Sequence, residues 1–118
     1  MTRILIVDDD TNLLNFLEEE LIDAGFEVST LDNGADAIVS AAENQFDLIL
    51  LDMLMPGLDG IQVVRVLKKV SPGIPIIGLT GYVGRGYMSQ AMSLGVSIMT
   101  KPVEISFLVE EINKATQN

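Results

Sequence analysis

Two short apolar runs in this chain end on acid: Arg3-Ile4-Leu5-Ile6-Val7 leads into Asp8-Asp9, and Leu48-Ile49-Leu50-Leu51 leads into Asp52. Two more end on a hydroxyl and an ammonium, at Thr80 and at Lys101. Packing does not explain a carboxylate at the tip of a buried strand, whereas that edge of an open α/β sheet is where ligands bind. Gathering three carboxylates there is costly, because two like charges about 4 Å apart repel by about 4 kcal/mol at an effective dielectric of ~20. A divalent cation would offset the repulsion, and hard oxygen ligands suit Mg²⁺, which keeps several of its waters. Lys101 supplies a second, permanent cation, and both would lower the pKa of Asp52 and keep it ionised. An ionised aspartate beside a metal and an ammonium is equipped for in-line attack on a phosphoryl group, giving an aspartyl phosphate. In such a reaction the protein mostly positions groups and stabilises charge. Mg²⁺ would bridge Asp52 and the phosphoryl oxygens, Lys101 would neutralise another oxygen, and the Thr80 hydroxyl with backbone N–H groups after Asp52 would bind the rest. No base is required, which fits a chain without histidine.

For these groups to meet, the runs that carry them must be neighbouring strands. The first is Arg3 to Asp8, and Leu48 to Asp52 reads as a strand buried on both faces. Phe26 to Thr30 alternates weakly as a second, edge strand, Pro75 to Thr80 is a fourth, and Ser97 to Lys101 a fifth. Helices separate them. Asp10 or Thr11 caps the first, where Leu13, Leu14, Leu17 and Leu21 recur at helical spacing and Gly25 ends it; for Asp10 this capping role is favoured over a metal role. Ala35 to Asn44, about Ile61 to Val70, and the region around Tyr87 to Leu94 supply the next three. The last starts at Glu104, with Ile105, Leu108, Val109 and Ile112 as its core stripe. Alternation of five strands with five helices implies right-handed crossovers and a parallel sheet covered on both faces. The expected fold is therefore α/β, a doubly wound, flavodoxin-like (βα)5 arrangement of strand order 2-1-3-4-5, in which Asp8, Asp9, Asp52, Thr80 and Lys101 converge.

Composition sets limits on what such a site can be. At 118 residues the chain fits one domain, 1–118, with a single substantial core. Hydrophobic content of 48% with 20% charged residues is globular, and no apolar run approaches the ~18 residues of a membrane span. With acid following so closely on Ile4 to Val7 there is no signal peptide to read, and the expectation is a soluble, cytoplasmic protein. The absence of Cys and His excludes disulfides, thiolate or imidazole metal sites and imidazole catalysis, leaving carboxylates and hard metals. A net charge of −10 argues against nucleic acid, and the one basic cluster, Arg65, Lys68 and Lys69, reads as a solvated helix face. Gly81, Gly84 and Gly86 make a loose connection without the spacing of a phosphate loop, and Met53 and Met55 read as adaptable apolar filler.

Ile4-Leu5-Ile6-Val7-Asp8-Asp9, Leu51-Asp52 with Met55-Pro56 and Asp59-Gly60, Leu79-Thr80, Ala91 with Leu94-Gly95, and Lys101-Pro102 occur in that order. Over essentially its whole length the sequence resembles the receiver domain of two-component response regulators, in the manner of the chemotaxis regulators. The resemblance implies a Mg²⁺-dependent transfer of a phosphoryl group from a sensor histidine kinase or phosphotransfer protein onto Asp52. Asp8, Asp9, Asp52 and the backbone carbonyl of Leu54 would hold the metal, while Thr80, Gly81 and Lys101 would bind the phosphoryl group and switch. The Lys101-Pro102 peptide would be cis. Output would pass through the face of the fourth helix, fifth strand and fifth helix to a downstream protein or effector domain, with room for a phosphorylation-dependent dimer. Leu54 and Tyr82, two residues past the acceptor and past the Thr, would tune phosphoryl lifetime by obstructing water.

The sequence departs from that pattern at Ile98, where receivers usually carry the aromatic partner of the moving Thr. The segment from Gly95 to Lys101 is also a residue shorter than in many relatives, and Val103 stands where Phe is common. The loop containing Tyr82 and Tyr87 is the alternative carrier of a conformational change. Two other classes compete: a small Mg²⁺-dependent phosphohydrolase, which would need an acid/base residue and a cap not evident here, and a pseudo-receiver that binds partners unphosphorylated. The expectation is a signalling phosphoacceptor that catalyses only its own phosphorylation and dephosphorylation, not an enzyme.

Overall fold

A computed structural model describes residues 1–81 and 85–117, with the side chains of Leu58 and Arg85 outside the description. Strands β1 (Arg3–Val7), β2 (Glu27–Leu31) and β3 (Leu48–Asp52) alternate with α1 (Thr11–Asp23) and α2 (Gly34–Glu43). A hairpin of β4 (Leu54–Met55) and β5 (Leu58–Asp59) then precedes α3 (Gly60–Val70), β6 (Ile76–Thr80), α4 (Arg85–Ser93), β7 (Ser97–Thr100) and α5 (Ile105–Thr116). The main sheet has five parallel strands in the order β2-β1-β3-β6-β7. Counting only the strands of that sheet, this is 2-1-3-4-5, the flavodoxin-like arrangement expected.

The period-2 geometry of a strand sends successive side chains to opposite faces, and the two cores follow from it. Leu5, Val7, Ile49 and Leu51 pack with Ala37 and Ala41 of α2, Ile61, Val64 and Leu67 of α3 and Ala91 of α4. Ile4, Ile6, Leu48 and Leu50 pack on the other face with Leu14, Leu17 and Leu21 of α1 and Leu108 and Ile112 of α5. Every residue of β3 and β6 is buried. β2, paired on one side only, stays half-buried, as an edge strand should. Truncating a residue at the centre of this packing removes both transfer energy and neighbours, so Leu50→Ala is expected to cost about 2–5 kcal/mol, read as a fall in the urea midpoint at unchanged slope.

Register sets the height of the strand tips. Val7 pairs with Leu51, so Asp8 follows β1 where Asp52 ends β3. Asp52 pairs with Leu79 and Thr80 with Thr100, which brings Thr80 and then Lys101 to the same edge. Helix starts are held by their own caps: the Asp10 side chain accepts from the N–H groups of Asn12 and Leu13, and Asp59 accepts from Ile61 N–H. Asp10 thus takes the capping role. Among the described residues, the β4–β5 hairpin is the one element the sequence pattern does not reveal, because two-residue strands carry no hydrophobic period. Among the described residues, no helix is long and apolar enough to cross a membrane.

Candidate functional site

At the carboxyl edge of the sheet, Asp8 is fully buried, Asp52 is 3% exposed and Thr80 1% exposed, while Asp9 is exposed. Carboxylate oxygens of Asp8, Asp9 and Asp52 all lie within 4.8 Å of one another. Lys101 Nζ reaches Asp8 Oδ2 at 3.1 Å and Asp52 Oδ2 at 3.5 Å. Asp8 Oδ1 accepts from Asp10 N–H at 2.9 Å, and Asp52 Oδ1 from Leu54 N–H at 3.2 Å. Asp8 Oδ2, although buried, meets the Lys101 ammonium and, among the described residues, no other hydrogen-bond donor. A buried carboxylate oxygen met by a single ammonium, beside two further carboxylates, is a donor set that fits a hard divalent cation.

Burial dominates the electrostatics of Asp52. It pushes the carboxyl up to about 6; the Asp8 charge adds to the rise, while Leu54 N–H and Lys101 pull the other way. The expectation that the site holds Asp52 low is therefore corrected for the protein's own groups, because taking the carboxylate out of water outweighs one partly exposed ammonium. For Lys101 the balance is reversed: burial lowers its pKa, but the hydrogen bond it donates to Asp8 and the charges of Asp52 and Asp8 more than compensate and raise it.

The sequence matches the family model of the response regulator receiver domain over residues 4–113. The chain belongs to that family. This receiver domain is 34% identical over 115 residues to the response regulator receiver protein CpdR of Brucella abortus (strain 2308), covering 97% of this chain and 96% of that protein. It is 38% identical over 118 residues to the response regulator PleD of Caulobacter vibrioides (strain NA1000 / CB15N), covering 98% of this chain but 26% of PleD. Chemotaxis protein CheY4 of Vibrio cholerae superposes with a TM-score of 0.90 at 26% identity, covering 98% of each chain. A CheY-like receiver domain protein from Methanospirillum hungatei JF-1 does so with a TM-score of 0.92 at 30% identity, covering 97% of this chain and 92% of that one.

Within the receiver domain, the expected residues fall in two groups. Asp8, Asp9, Asp52 and Lys101 are brought together, and Thr80 lies at the same edge with its carbonyl accepting from Lys101 N–H at 2.9 Å. The Lys101-Pro102 peptide is cis. Gly81 follows Thr80 and is exposed; Leu54, 48% exposed, stands beside Asp52. Tyr82, and Gly84 of the same loop, lie outside the described residues.

Ile98 is half-buried, packs against the core of the α2, α3 and α4 face and pairs with Gly78. A Cβ at Gly78 would sit 2.8 Å from Met53 Cγ and 3.0 Å from Ile98 Cδ1, so Met53 lies across β6 where a side chain is missing. A Cβ at Gly60 would come within 2.7 Å of Met53 Cα, and would also strike the Met53 carbonyl oxygen. The residue after Asp52 is thus wedged between two glycines. A lone glycine inside the apolar run Ile76-Ile77-Gly78-Leu79 was the available signal for such a close approach. Gly78→Ala meets mainly the flexible end of Met53 and is expected to cost about 1–3 kcal/mol, with Gly60→Ala, which meets backbone, costing more. Equal urea midpoints for the two variants would refute the distinction.

Proposed function

We propose that this receiver domain accepts a phosphoryl group on Asp52 from a sensor histidine kinase or phosphotransfer protein, with Mg²⁺ as cofactor, and that it works as a cytoplasmic signalling switch over a single domain, 1–118. The observation that carries the reading is the buried Asp52, set among carboxylate oxygens within 4.8 Å of one another and 3.5 Å from the Lys101 ammonium. Asp8, Asp9, Asp52 and the Leu54 carbonyl would hold the metal. Bound there, Mg²⁺ supplies charge neutralisation for carboxylate and phosphoryl oxygens.

The residues of the chain then have distinct tasks. An Asp52 carboxylate oxygen forms a bond to phosphorus as the bond from phosphorus to the donor's leaving group breaks. Lys101 neutralises a phosphoryl oxygen, and the Thr80 hydroxyl and the Gly81 backbone bind the others. Leu54, exposed beside the acceptor, obstructs attacking water together with Tyr82. Output passes through the surface of α4, β7 and α5 to a downstream protein or effector domain, with phosphorylation-dependent dimerisation as one form of it.

Incubation with acetyl phosphate and Mg²⁺ should add one phosphoryl mass to the intact protein, absent from Asp52→Asn and without the metal. Turnover of many phosphate esters would point instead to a hydrolase, and no adduct to a receiver that binds partners unphosphorylated. Leu54→Ala combined with Tyr82→Ala should shorten the adduct's life several-fold; an unchanged decay rate would remove both residues from that role.

A further inference from the structure

Tyr87 lies in the first turns of α4, and its hydroxyl donates to the Met53 carbonyl at 2.6 Å, across 34 positions of sequence. The same oxygen accepts from Gly60 N–H at 3.2 Å. That carbonyl is one end of the Met53–Leu54 peptide; the other end, Leu54 N–H, donates to Asp52 Oδ1 at 3.2 Å. A peptide is planar and stiff, so its C=O and N–H cannot reorient independently. Asp52 and Tyr87 are therefore bonded to opposite ends of one rigid plate.

The plate has little room to absorb a change at either end. Met53 N–H is tied to the Leu79 carbonyl at 2.8 Å, and the Met53 side chain lies over Gly78 beside Ile98. Ile98 contributes apolar contact and has no polar atom in its side chain. Burial, followed by the charge of Asp59 and a hydrogen bond with its side chain, raises the Tyr87 pKa against the opposing pull of Gly60 N–H, so the hydroxyl stays protonated between Asp59 and the Met53 carbonyl.

We infer that Tyr87 is a positioning residue for the acceptor loop, coupling Asp52 to α4 through the Met53–Leu54 peptide. The inference rests on the reading of Asp52 as phosphoacceptor for its consequence, though not for the positioning itself. When Asp52 becomes an acyl phosphate, the charge and acceptor strength of its oxygens change. Leu54 N–H responds, the peptide tips, and the Met53 carbonyl turns relative to the Tyr87 hydroxyl, which moves the start of α4.

Tyr87→Phe removes one hydroxyl and keeps the ring, with Tyr82→Phe as the control. In the unphosphorylated protein, Tyr87→Phe should speed amide exchange at Leu54 by roughly threefold to tenfold, the loss of one ordinary hydrogen bond, and Tyr82→Phe should not. Unchanged Leu54 exchange would overturn the positioning role. After acetyl phosphate and Mg²⁺, with the adduct verified by intact mass, exchange in residues 85–93 should change in wild type and stay flat in Tyr87→Phe. An equal response in both would overturn the coupling. The chain has two Tyr and no Trp, so Tyr82→Phe leaves Tyr87 as its one tyrosine emitter. Its emission should shift on phosphorylation, and a constant signal would again overturn the coupling without relying on the Tyr87 variant folding. If wild type gains no adduct, the phosphoacceptor reading fails and the coupling with it, whereas the Leu54 exchange result still decides the positioning.

Discussion

Above pH 6, Asp52→Asn should unfold at higher urea than wild type in the presence of a chelator, by about 2–3 kcal/mol, and the advantage should vanish as the pH falls below about 4. The folded protein holds the Asp52 proton up to about 6, against 3.8 for a free carboxyl. Between those values the folded state binds more protons than the unfolded one, so stability contributed by this group falls as pH rises. The full penalty applies once Asp52 is ionised in both states. Asn has the same shape and carries no charge, so it removes that penalty while keeping an acceptor for Leu54 N–H. Comparing the two proteins at each pH cancels the other carboxylates, which titrate in both. Mg²⁺ should narrow the gap, because a cation that binds the folded wild type through Asp52 stabilises it by mass action. A stability difference constant from pH 4 to pH 8 would mean that burial does not set the ionisation of Asp52.

That result bears on what residue types alone can reveal. The placement of Asp8, Asp52, Thr80 and Lys101 is legible because each ends an apolar run, and parallel pairing of such runs leaves their tips at one edge. The Asp10 cap and the Leu108 and Ile112 stripe are legible for equally local reasons, the start of a helical period and its spacing. The ionisation of Asp52 is not. It is a difference between burial and the opposing effects of Asp8, Leu54 N–H and Lys101, and charge counting along the chain supplies the sign of the charges but not the depth of burial.

The contacts of Met53 are illegible for another reason. Its carbonyl meets Tyr87 Oη across 34 positions, and its side chain meets Gly78 and Ile98 across the sheet. Neither contact leaves a period or a spacing. The methionine is correctly read as apolar filler, but what it fills is the space left by Gly78, and what its backbone does depends on α4. The absence of an aromatic at Ile98 is visible in the sequence; the hydroxyl of Tyr87 against the loop after Asp52 becomes visible only in the fold.

Lys101→Met should slow Asp52 phosphorylation by acetyl phosphate by about 10²-fold or more, the usual cost of removing a preorganised charge from a phosphoryl oxygen. It should also destabilise the protein by about 3 kcal/mol at neutral pH, because Asp8 would remain fully buried without the ammonium that faces it at 3.1 Å. The two effects separate in further variants. Asp8→Asn added to Lys101→Met removes the stranded charge, so the double variant should recover much of the stability and none of the rate. Lys101→Arg keeps the charge but replaces a compact ammonium with a planar fork that cannot occupy the same point between Asp8 and Asp52. It should fall between Lys101→Met and wild type in stability while staying close to Lys101→Met in rate. Were Lys101→Arg to phosphorylate as fast as wild type, charge alone would suffice and the position of the ammonium 3.5 Å from Asp52 would carry no catalytic weight.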